Sequence, residues 1–337
     1  MKSSVALCTW NGAQYLREQL QSIFGQTRPV QEIIICDDGS VDGTRDIIKS
    51  FEQQYPGIIS FMANPTKLEA RKNFEQAIRL CTGDLIFLCD QDDVWCRDKV
   101  QVTLDFFTDH PDAMGAFSNG SLLHDGETGI ERTIWGALSF STTLQETANA
   151  ANLFEMLLKL DNFVTGAALC IRKETTAWLF PFYCPPPDYW HDYWIALQIA
   201  KRNQLYLLSK KLIGYRVHHA QQTGFSLERQ ADDMAWLKEA AWNDQFEGMA
   251  TGKTLSFILN AIRRCNVYAN YYKTVGEDNA RIDTLRTSLN SQLPGIKTAY
   301  FEGLGFIGRK KLWVKAVQKP VKYNYLSFRD RLRLLFS

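Results

Sequence analysis

Three carboxylates directly follow one short apolar run, and their spacing suggests chemistry. The run Leu85–Cys89 comes after a Gly-Asp turn signal and leads into Asp90, Asp92 and Asp93. A short, continuous apolar run of this kind is typical of a buried strand. Three like charges so close together repel and raise each other's pKa unless a cation compensates. Mg²⁺ or Mn²⁺, which prefer oxygen ligands, would do so. A solvated acidic turn is the alternative.

The elements that position these acids can be read from the hydrophobic pattern. Apolar strands and helical periodicities alternate four times within the first 93 residues. This βαβ pattern predicts a parallel sheet covered by helices, with ligands at the carboxyl ends of the strands. Thr9 and Asn11 follow the first strand, and Asp37 and Asp38 follow the second. Turn chemistry alone explains an Asp-Gly pair, but it does not explain why acids gather at one edge.

The residues alone do not define which ligand binds at the carboxyl edge of the predicted sheet. The chain has neither a GxGxxG nor a GxxxxGK[ST] motif, so no dinucleotide site and no P-loop are indicated. A nucleoside diphosphate held through a bridging cation fits acids that lack a glycine cradle. A Mg²⁺-dependent phosphoryl-transfer domain also gathers acids at strand ends and stays open as an alternative.

Composition limits the partners and the compartment. The 337 residues are 45% hydrophobic and 22% charged, and the net charge of +1 gives no argument for nucleic acid. Residues 309–337 carry nine Lys or Arg and one acid, which favours an anionic surface as a partner. Eight cysteines without a CxxC pair favour a reduced, cytoplasmic compartment. With no apolar segment long enough to span a bilayer, we expect any membrane contact to be peripheral.

Four motifs in register carry a family resemblance over about the first 100 residues, and weaker matches extend it to about residue 224. The motifs are Ala6-Leu7-Cys8-Thr9-Trp10-Asn11-Gly12, Ser22-Ile23-Phe24-Gly25-Gln26-Thr27, Asp37-Asp38-Gly39-Ser40-Val41-Asp42-Gly43-Thr44 and Asp90-Gln91-Asp92-Asp93-Val94-Trp95. In them the chain resembles the inverting GT-A glycosyltransferases of family 2, and among these the bacterial rhamnosyltransferase-like members. Trp10 departs from the Tyr usual in the family, although both are large aromatic residues.

The resemblance implies an α/β fold of GT-A type, a Rossmann-like, mostly parallel sheet with flanking helices, over residues 1–224. Beyond it, helical periodicity predicts a helical appendage over residues 225–305. Residues 306–337 interleave basic residues with Trp, Phe and Leu, as membrane-surface segments do, and we expect this basic amphipathic tail to bind anionic lipid. A solvated helix docked on the body is the alternative for the tail.

On the donor side, the resemblance implies that Asp38 recognises the nucleobase and that Cys8 and Thr9 line its pocket. Further residues expected near the nucleotide are Asn11, Arg71 and Asn73. For Arg71, a solvated charge on a helix is an equally good interpretation.

The resemblance also divides the acids after the strand. It implies that Asp90 faces the ribose, that Asp92 binds Mn²⁺ or Mg²⁺, and that Asp93 supports substrate binding. A later Tyr-Arg-x-His sequence matches the family, so Arg216 and His218 are expected at the diphosphate or the metal. We assign Arg216 to the substrate and His218 to the metal, while a structural role for the histidine is the alternative. Gln221 to Gly224 then belong to a loop over the donor.

Transfer with inversion needs a base that takes the proton of the acceptor hydroxyl as its oxygen attacks the sugar carbon. In the family this base lies in an acidic motif at the start of a helix, and His191-Asp192 matches that motif. Asp192 is therefore the expected catalytic base, and His191 is expected to position the substrate. Capping of the helix is the alternative for Asp192, because an acid is favourable in a first helical turn.

These expectations amount to an inverting glycosyltransferase that moves a sugar from a nucleotide donor to a hydroxyl of a saccharide acceptor. The resemblance favours dTDP-L-rhamnose as the donor, with a UDP-hexose as the alternative. A lipid-linked acceptor at the inner membrane face, in surface polysaccharide synthesis, would account for the basic tail. Two other functions stay open: phosphoryl transfer, and a silent subunit that binds a sugar nucleotide without turning it over.

Overall fold

Apolar strands alternate with amphipathic helices through the first third of the chain, as the sequence predicts. The computed structural model describes residues 1–124, 132–183, 190–218, 221, 232–245 and 252–304. The first elements are β1 (Ser3–Thr9), α1 (Leu16–Phe24), β2 (Glu32–Asp37), α2 (Thr44–Gln54), β3 (Ile59–Ala63), α3 (Glu69–Leu80), β4 (Leu85–Cys89), β5 (Val94–Trp95) and α4 (Lys99–Asp109).

The middle of the chain adds strands and mostly short helices. These are β6 (Gly115–His124), α5 (Ile134–Ala137), α6 (Thr142–Thr147), α7 (Leu153–Leu160), a 3₁₀ turn (Gly166–Ala168), β7 (Leu169–Arg172), a second 3₁₀ turn (Lys173–Thr175), α8 (Thr176–Leu179), α9 (His191–Lys201) and β8 (Leu205–Val217). Three helices follow: α10 (Asp232–Trp242), α11 (Gly252–Thr274) and α12 (Ala280–Gly303).

One sheet of eight strands runs in the order β3-β2-β1-β4-β7-β6-β8-β5. The first four strands of that order are parallel, β7 is antiparallel to both of its neighbours, and β6 and β8 are parallel. Strands β4 and the apolar part of β2 are buried throughout, which explains why their sequences are continuous apolar runs. The predicted α/β architecture with a mostly parallel sheet and a helical C-terminal part is confirmed.

Strand β8 differs from its prediction. The sequence predicts a short strand over residues 205–208 and a separate run from Leu212, but the structure has one strand over Leu205–Val217. Exposed polar residues in its middle, Ser209 to Lys211, interrupt the apolar pattern. The strand nevertheless continues because its backbone pairs with β6, whose register shifts near Ser118 and Asn119. Backbone hydrogen bonds to β6 therefore stabilise the middle of this strand, where the side chains are not buried.

The chain divides into two compact units. The first is Met1–Phe154 with Asn162–Ala235, and it contains the sheet; the second is Glu155–Asp161 with Trp236–Ser337. Within the second unit, the buried Arg264 donates to the carbonyls of Leu158 (2.8 Å) and Lys159 (3.1 Å) near the end of α7. These bonds satisfy carbonyl groups that a helix end leaves unpaired. The domain boundaries at residues 224 and 305 stay predictions.

Two predicted segments lie outside the described residues: the basic tail over residues 306–337, and residues 222–224 of the predicted donor loop. In the part of the chain that the structure describes, every helix is too short or too polar to cross a membrane.

The end of β2 is held by the buried carboxylate of Asp37. It accepts hydrogen bonds from the Thr9 hydroxyl (2.9 Å), from the hydroxyl (2.5 Å) and backbone N–H (3.1 Å) of Ser40, and from Arg45 Nε (2.9 Å). A fully buried acid with four donors ties the end of β1 to the turn after β2. Asp37 therefore shapes the carboxyl edge of the sheet.

We expect Asp37→Ala to lower the free energy of unfolding by roughly 2–4 kcal/mol, because it strands several buried donors. Urea denaturation followed by circular dichroism measures this difference. Asp46→Ala, which removes an exposed acid from the first turn of α2, is the matched control and should cost about 1 kcal/mol or less. Equal losses for the two variants would contradict the role of Asp37.

Candidate active site

The loop after β1 is fixed to the loop after β4 by one glutamine. The Gln91 side chain accepts from Trp10 N–H (2.8 Å) and donates to the Trp10 carbonyl (3.1 Å). Asn11 adopts a left-handed backbone (φ 48°), and its amide oxygen accepts from Val41 N–H at 2.9 Å. The Gln91 side chain packs directly on Gly12, since an added Cβ there would lie 2.1 Å from Gln91 Oε1. The carboxyl ends of β1, β2 and β4 thus share one hydrogen-bonded edge.

Asp38 is buried and fully engaged with the start of α3. Its carboxylate accepts from Asn64 Nδ2 (3.1 Å) and from the backbone N–H groups of Leu68 (2.6 Å) and Glu69 (2.8 Å). Asn64 Nδ2 also donates to Asn73 Oδ1 at 2.8 Å. Two orphan donors of a helix start are satisfied in this way. A contact between Asp38 and a nucleobase stays a prediction, and it would have to share the carboxylate with these donors.

The other residues predicted near the nucleotide have different surroundings. The buried Asn73 donates to the Cys36 carbonyl at 2.9 Å and so ties α3 to β2. Arg71, half-buried, lies two residues earlier on the same helix. Cys8 is half-buried on β1, and burial raises the pKa of its thiol well above the usual range, so it is a neutral thiol at neutral pH. Thr9 is buried, and its hydroxyl donates to Asp37.

The three acids after β4 lie in different environments. Asp92 Oδ2 lies 2.9 Å from His218 Nε2, and both side chains are largely buried. Asp93 is 1% exposed; its Oδ1 accepts from Arg216 N–H at 2.9 Å, whereas its Oδ2 has no hydrogen-bond partner among the described residues. Burial, then the charges of Asp92 and Asp192, raise the pKa of Asp90 to about 8.

Arg216 links the end of β8 to this acidic loop. Its Nε donates to the Asp92 carbonyl (2.9 Å), its guanidinium pairs with Glu18 of α1 (2.6 Å), and it lies 4.8 Å from the centroid of the Tyr15 ring. The guanidinium therefore ties the acidic loop to α1 in this structure. A direct contact of Arg216 with the donor diphosphate stays a prediction.

The predicted base lies in the first turn of α9. Asp192 accepts from Gly166 N–H (3.1 Å) and from Asn162 Nδ2 (3.3 Å). Burial raises the pKa of Asp192 to about 6, although these hydrogen bonds oppose the shift. Because Asp192 raises the pKa of Asp90, the two acids act on each other electrostatically although they are distant in sequence. A carboxylate with a pKa near neutrality is suited to general base catalysis.

His191 is buried beside the base. Its ring stacks on Phe74 of α3 with centroids 4.0 Å apart, and neither ring nitrogen has a hydrogen-bond partner among the described residues. An added Cβ on Gly166 would lie 3.1 Å from Nε2, so the ring fits tightly. Burial lowers the pKa of His191 to about 3, and the imidazole is therefore neutral, with one donor and one acceptor nitrogen.

The fit of a divalent cation can be tested on these donors. Within the described ranges, no group of three or more His, Cys, Asp or Glu side chains could hold a metal by itself. Asp92 Oδ2 and His218 Nε2 nevertheless give one oxygen and one nitrogen donor side by side. Mg²⁺ sites commonly use one or two carboxylates and take their other ligands from water and substrate phosphates. The donor set therefore fits a cation that shares its coordination with a bound diphosphate.

Comparisons with known proteins agree with this geometry. The model of the family "Glycosyl transferase family 2" matches residues 4–152, which include the acidic loop. This match covers a little under half of the chain and marks the protein as a glycosyltransferase. It is 28% identical over 247 residues to an uncharacterized glycosyltransferase of a Nostoc species, covering 71% of this chain and 73% of that protein.

Two further proteins are similar to this glycosyltransferase. The dTDP-rhamnosyl transferase RfbG of Shigella flexneri is 38% identical over 103 residues, which cover 29% of this chain and 36% of RfbG. A solved structure of the mannosyltransferase PcManGT of Pyrobaculum calidifontis, in complex with GDP-Man and Mn²⁺, superposes with a TM-score of 0.51. That match covers 87% of this chain and 86% of PcManGT at 14% identity, so it shows the fold alone. The fold is the predicted GT-A type.

Sequence reasoning missed three residues whose side chains hold this region together: Gln91, Glu18, and Lys99, which donates to the Ala167 carbonyl. Gln91 lies between the acids of its motif, which was the available signal. Glu18 lies in the first turn of α1, where an acid is favourable for any helix, so nothing marked it. Lys99 begins α4 although a cation there opposes the helix dipole, and this conflict was the signal for it.

We expect Gly12→Ala to weaken nucleotide binding about tenfold, the equivalent of roughly 1.4 kcal/mol. The new methyl group would expel the Gln91 side chain and break its two bonds to the Trp10 backbone. Calorimetric titration with UDP and dTDP in Mn²⁺ measures the affinity. Gly43→Ala is the control, since its Cβ would meet only Ala13 Cβ at an ordinary 3.7 Å. Unchanged affinity in Gly12→Ala would refute the importance of the Gln91 contact.

Proposed function

We propose that this glycosyltransferase moves a sugar, with inversion, from a nucleoside diphosphate donor to a hydroxyl group of a saccharide acceptor. One observation carries the proposal: the half-buried Asp192 carboxylate is held by the Gly166 N–H (3.1 Å) and Asn162 Nδ2 (3.3 Å), and its charge raises the pKa of Asp90 in the acidic loop after β4. This arrangement favours a base that works beside acids suited to a cation and a diphosphate. The family match over residues 4–152 and the GDP-Man complex of PcManGT support the same donor class.

The transfer uses the residues as follows. Asp192 accepts the proton of the acceptor hydroxyl while that oxygen forms a bond to the anomeric carbon of the sugar. The bond between that carbon and the diphosphate oxygen breaks, and the nucleoside diphosphate leaves with the electron pair. The hydrogen bonds from Gly166 and Asn162 hold the carboxylate for this proton transfer. The neutral His191 packs between Phe74 and Gly166 and is proposed to position the substrate through this packing.

Asp92 and His218 would hold Mn²⁺ or Mg²⁺, as their adjacent oxygen and nitrogen donors suggest. When bound, such a cation neutralises the negative charge that develops on the leaving diphosphate. The Mn²⁺ in the PcManGT complex supports the use of a metal by a protein of this fold. Cys8, Thr9, Asn11 and Asp38 are proposed to form the nucleoside end of the site.

For the sugar itself, we propose L-rhamnose from dTDP-L-rhamnose, with a UDP-hexose as the alternative. The local 38% identity to RfbG, a dTDP-rhamnosyl transferase, supports this choice. The acceptor is proposed to be a lipid-linked saccharide in the synthesis of a surface polysaccharide, at the inner face of the cytoplasmic membrane.

The decisive experiment is a donor screen with dTDP- and UDP-sugars in Mn²⁺ or Mg²⁺, with the Asp192→Asn variant beside the wild type. We expect donor turnover by the wild type, and an acid limb of kcat/KM near pH 6, because Asp192 cannot accept a proton once it is protonated below its pKa. Asp192→Asn should bind the donor normally but transfer the sugar about 100-fold to 10,000-fold more slowly.

Several outcomes would change this assignment. If no nucleotide sugar is bound or consumed, the proposed function fails, and release of phosphate would favour phosphoryl transfer. Binding without turnover would favour a silent subunit. Full activity of Asp192→Asn would remove Asp192 as the base while leaving the donor class intact.

We also propose that the basic tail binds anionic lipid, on the support of its sequence alone. Neutralising Arg309, Lys310 and Lys311 to Gln in the full chain should weaken binding to phosphatidylglycerol vesicles about 100-fold, if each residue contributes about 1 kcal/mol. Sedimentation with vesicles measures this affinity, and uncharged phosphatidylcholine vesicles serve as the control. Equal binding of the wild type and the triple variant would refute the proposal.

A further inference from the structure

Lys99 is a buried lysine at a position that does not favour it. It is the first residue of α4, where the helix dipole is positive, and it is only 3% exposed. A buried ammonium group is unfavourable unless it is paired, and burial lowers the pKa of Lys99 to about 8. Neither the helix nor solvation therefore explains this residue, and its contacts must.

The ammonium group contacts the turn that holds the proposed base. Lys99 Nζ donates to the Ala167 carbonyl at 2.8 Å and lies 4.5 Å from the centroid of the Trp95 ring. Ala167 is the middle residue of the 3₁₀ turn Gly166–Ala168. The first residue of that turn donates its N–H to Asp192 Oδ2 at 3.1 Å. Two short hydrogen bonds and one turn thus connect the lysine to the base.

The same ammonium group lies near the acids after β4. Its positive charge favours the ionised forms of Asp90 and Asp93, in opposition to burial and to the charges of neighbouring acids. Asp93 Oδ2 is buried and has no hydrogen-bond partner in the described part of the chain. Lys99 therefore donates a hydrogen bond to the turn next to Asp192 and acts electrostatically on the acids after β4.

We propose that Lys99 is a positioning residue for sugar transfer, which fixes the Gly166–Ala168 turn and thereby holds the Asp192 carboxylate in place relative to the acidic loop. The inference rests on the proposed function, because it takes Asp192 as the base. Lys99 itself contacts neither the sugar nor the reacting atoms; it acts through the Ala167 carbonyl and the Gly166 N–H.

The test uses Lys99→Met in the full chain, which keeps the apolar stem and removes the ammonium group. We expect kcat to fall about 100-fold, as a small displacement of a catalytic group does, while the donor KM stays unchanged. Amide hydrogen exchange at Gly166 should become at least about tenfold faster, because the turn loses its anchor. The exchange measurement needs no substrate and reports the position of the turn directly.

Lys159→Met is the matched control. Lys159 is also a buried lysine, 4% exposed, and its ammonium pairs with Asp244 at 2.6 Å in the second compact unit. Its substitution should lower the stability of the protein but leave kcat and Gly166 exchange at wild-type values. If Lys99→Met does not fold, Lys99→Gln is measured in its place by the same criteria.

The outcomes separate the two proposals. Unchanged kcat, a loss confined to KM, or unchanged exchange at Gly166 would overturn the role of Lys99. If the wild type turns over no nucleotide sugar, the proposed function fails, and Gly166 exchange still decides whether Lys99 fixes the turn.

Discussion

Buried carboxylates that lie side by side lose hydration and repel each other, so the surrounding protein has to supply donors and positive charge. The acidic loop after β4 has this requirement, and distant segments of the unit that contains the sheet meet it. Asp93 receives the backbone N–H of Arg216, Asp92 contacts His218, and the ammonium charge of Lys99 favours the ionised form of Asp93. Two of these groups come from the end of β8 and the third from the start of α4.

This compensation explains why remote segments meet at the edge. The Arg216 backbone reaches Asp93 across 123 residues of sequence, and the guanidinium continues to Glu18 on α1. On the other side, the turn Gly166–Ala168 receives the ammonium of Lys99 and presents a backbone donor to Asp192. The compensation is incomplete, since the pKa of Asp90 stays raised. A site with raised carboxyl pKa values is suited to bind a cation and to transfer a proton.

The two adjacent acids after β2, Asp37 and Asp38, have different structural roles. Asp37 and Asp38 are adjacent and equally polar, yet Asp37 joins β1 to its own turn, whereas Asp38 receives the first donors of α3. Their spacing could not separate these roles, because the side chains of consecutive residues leave a strand end in different directions. The direction of each side chain, and the partner it meets, depends on the packing of β1, α2 and α3.

The sequence by itself determined the α/β alternation, the buried strands and the edge where the acids gather, because these follow from local periodicity and from the direction of parallel strands. It also marked Asp192 through its motif. Only the tertiary structure decided that Gln91 joins two loops, that β8 is continuous along β6, and that Lys99 contacts the turn that donates to Asp192. These features are contacts between segments distant in sequence, and no local pattern encodes which distant group a buried donor or charge will meet.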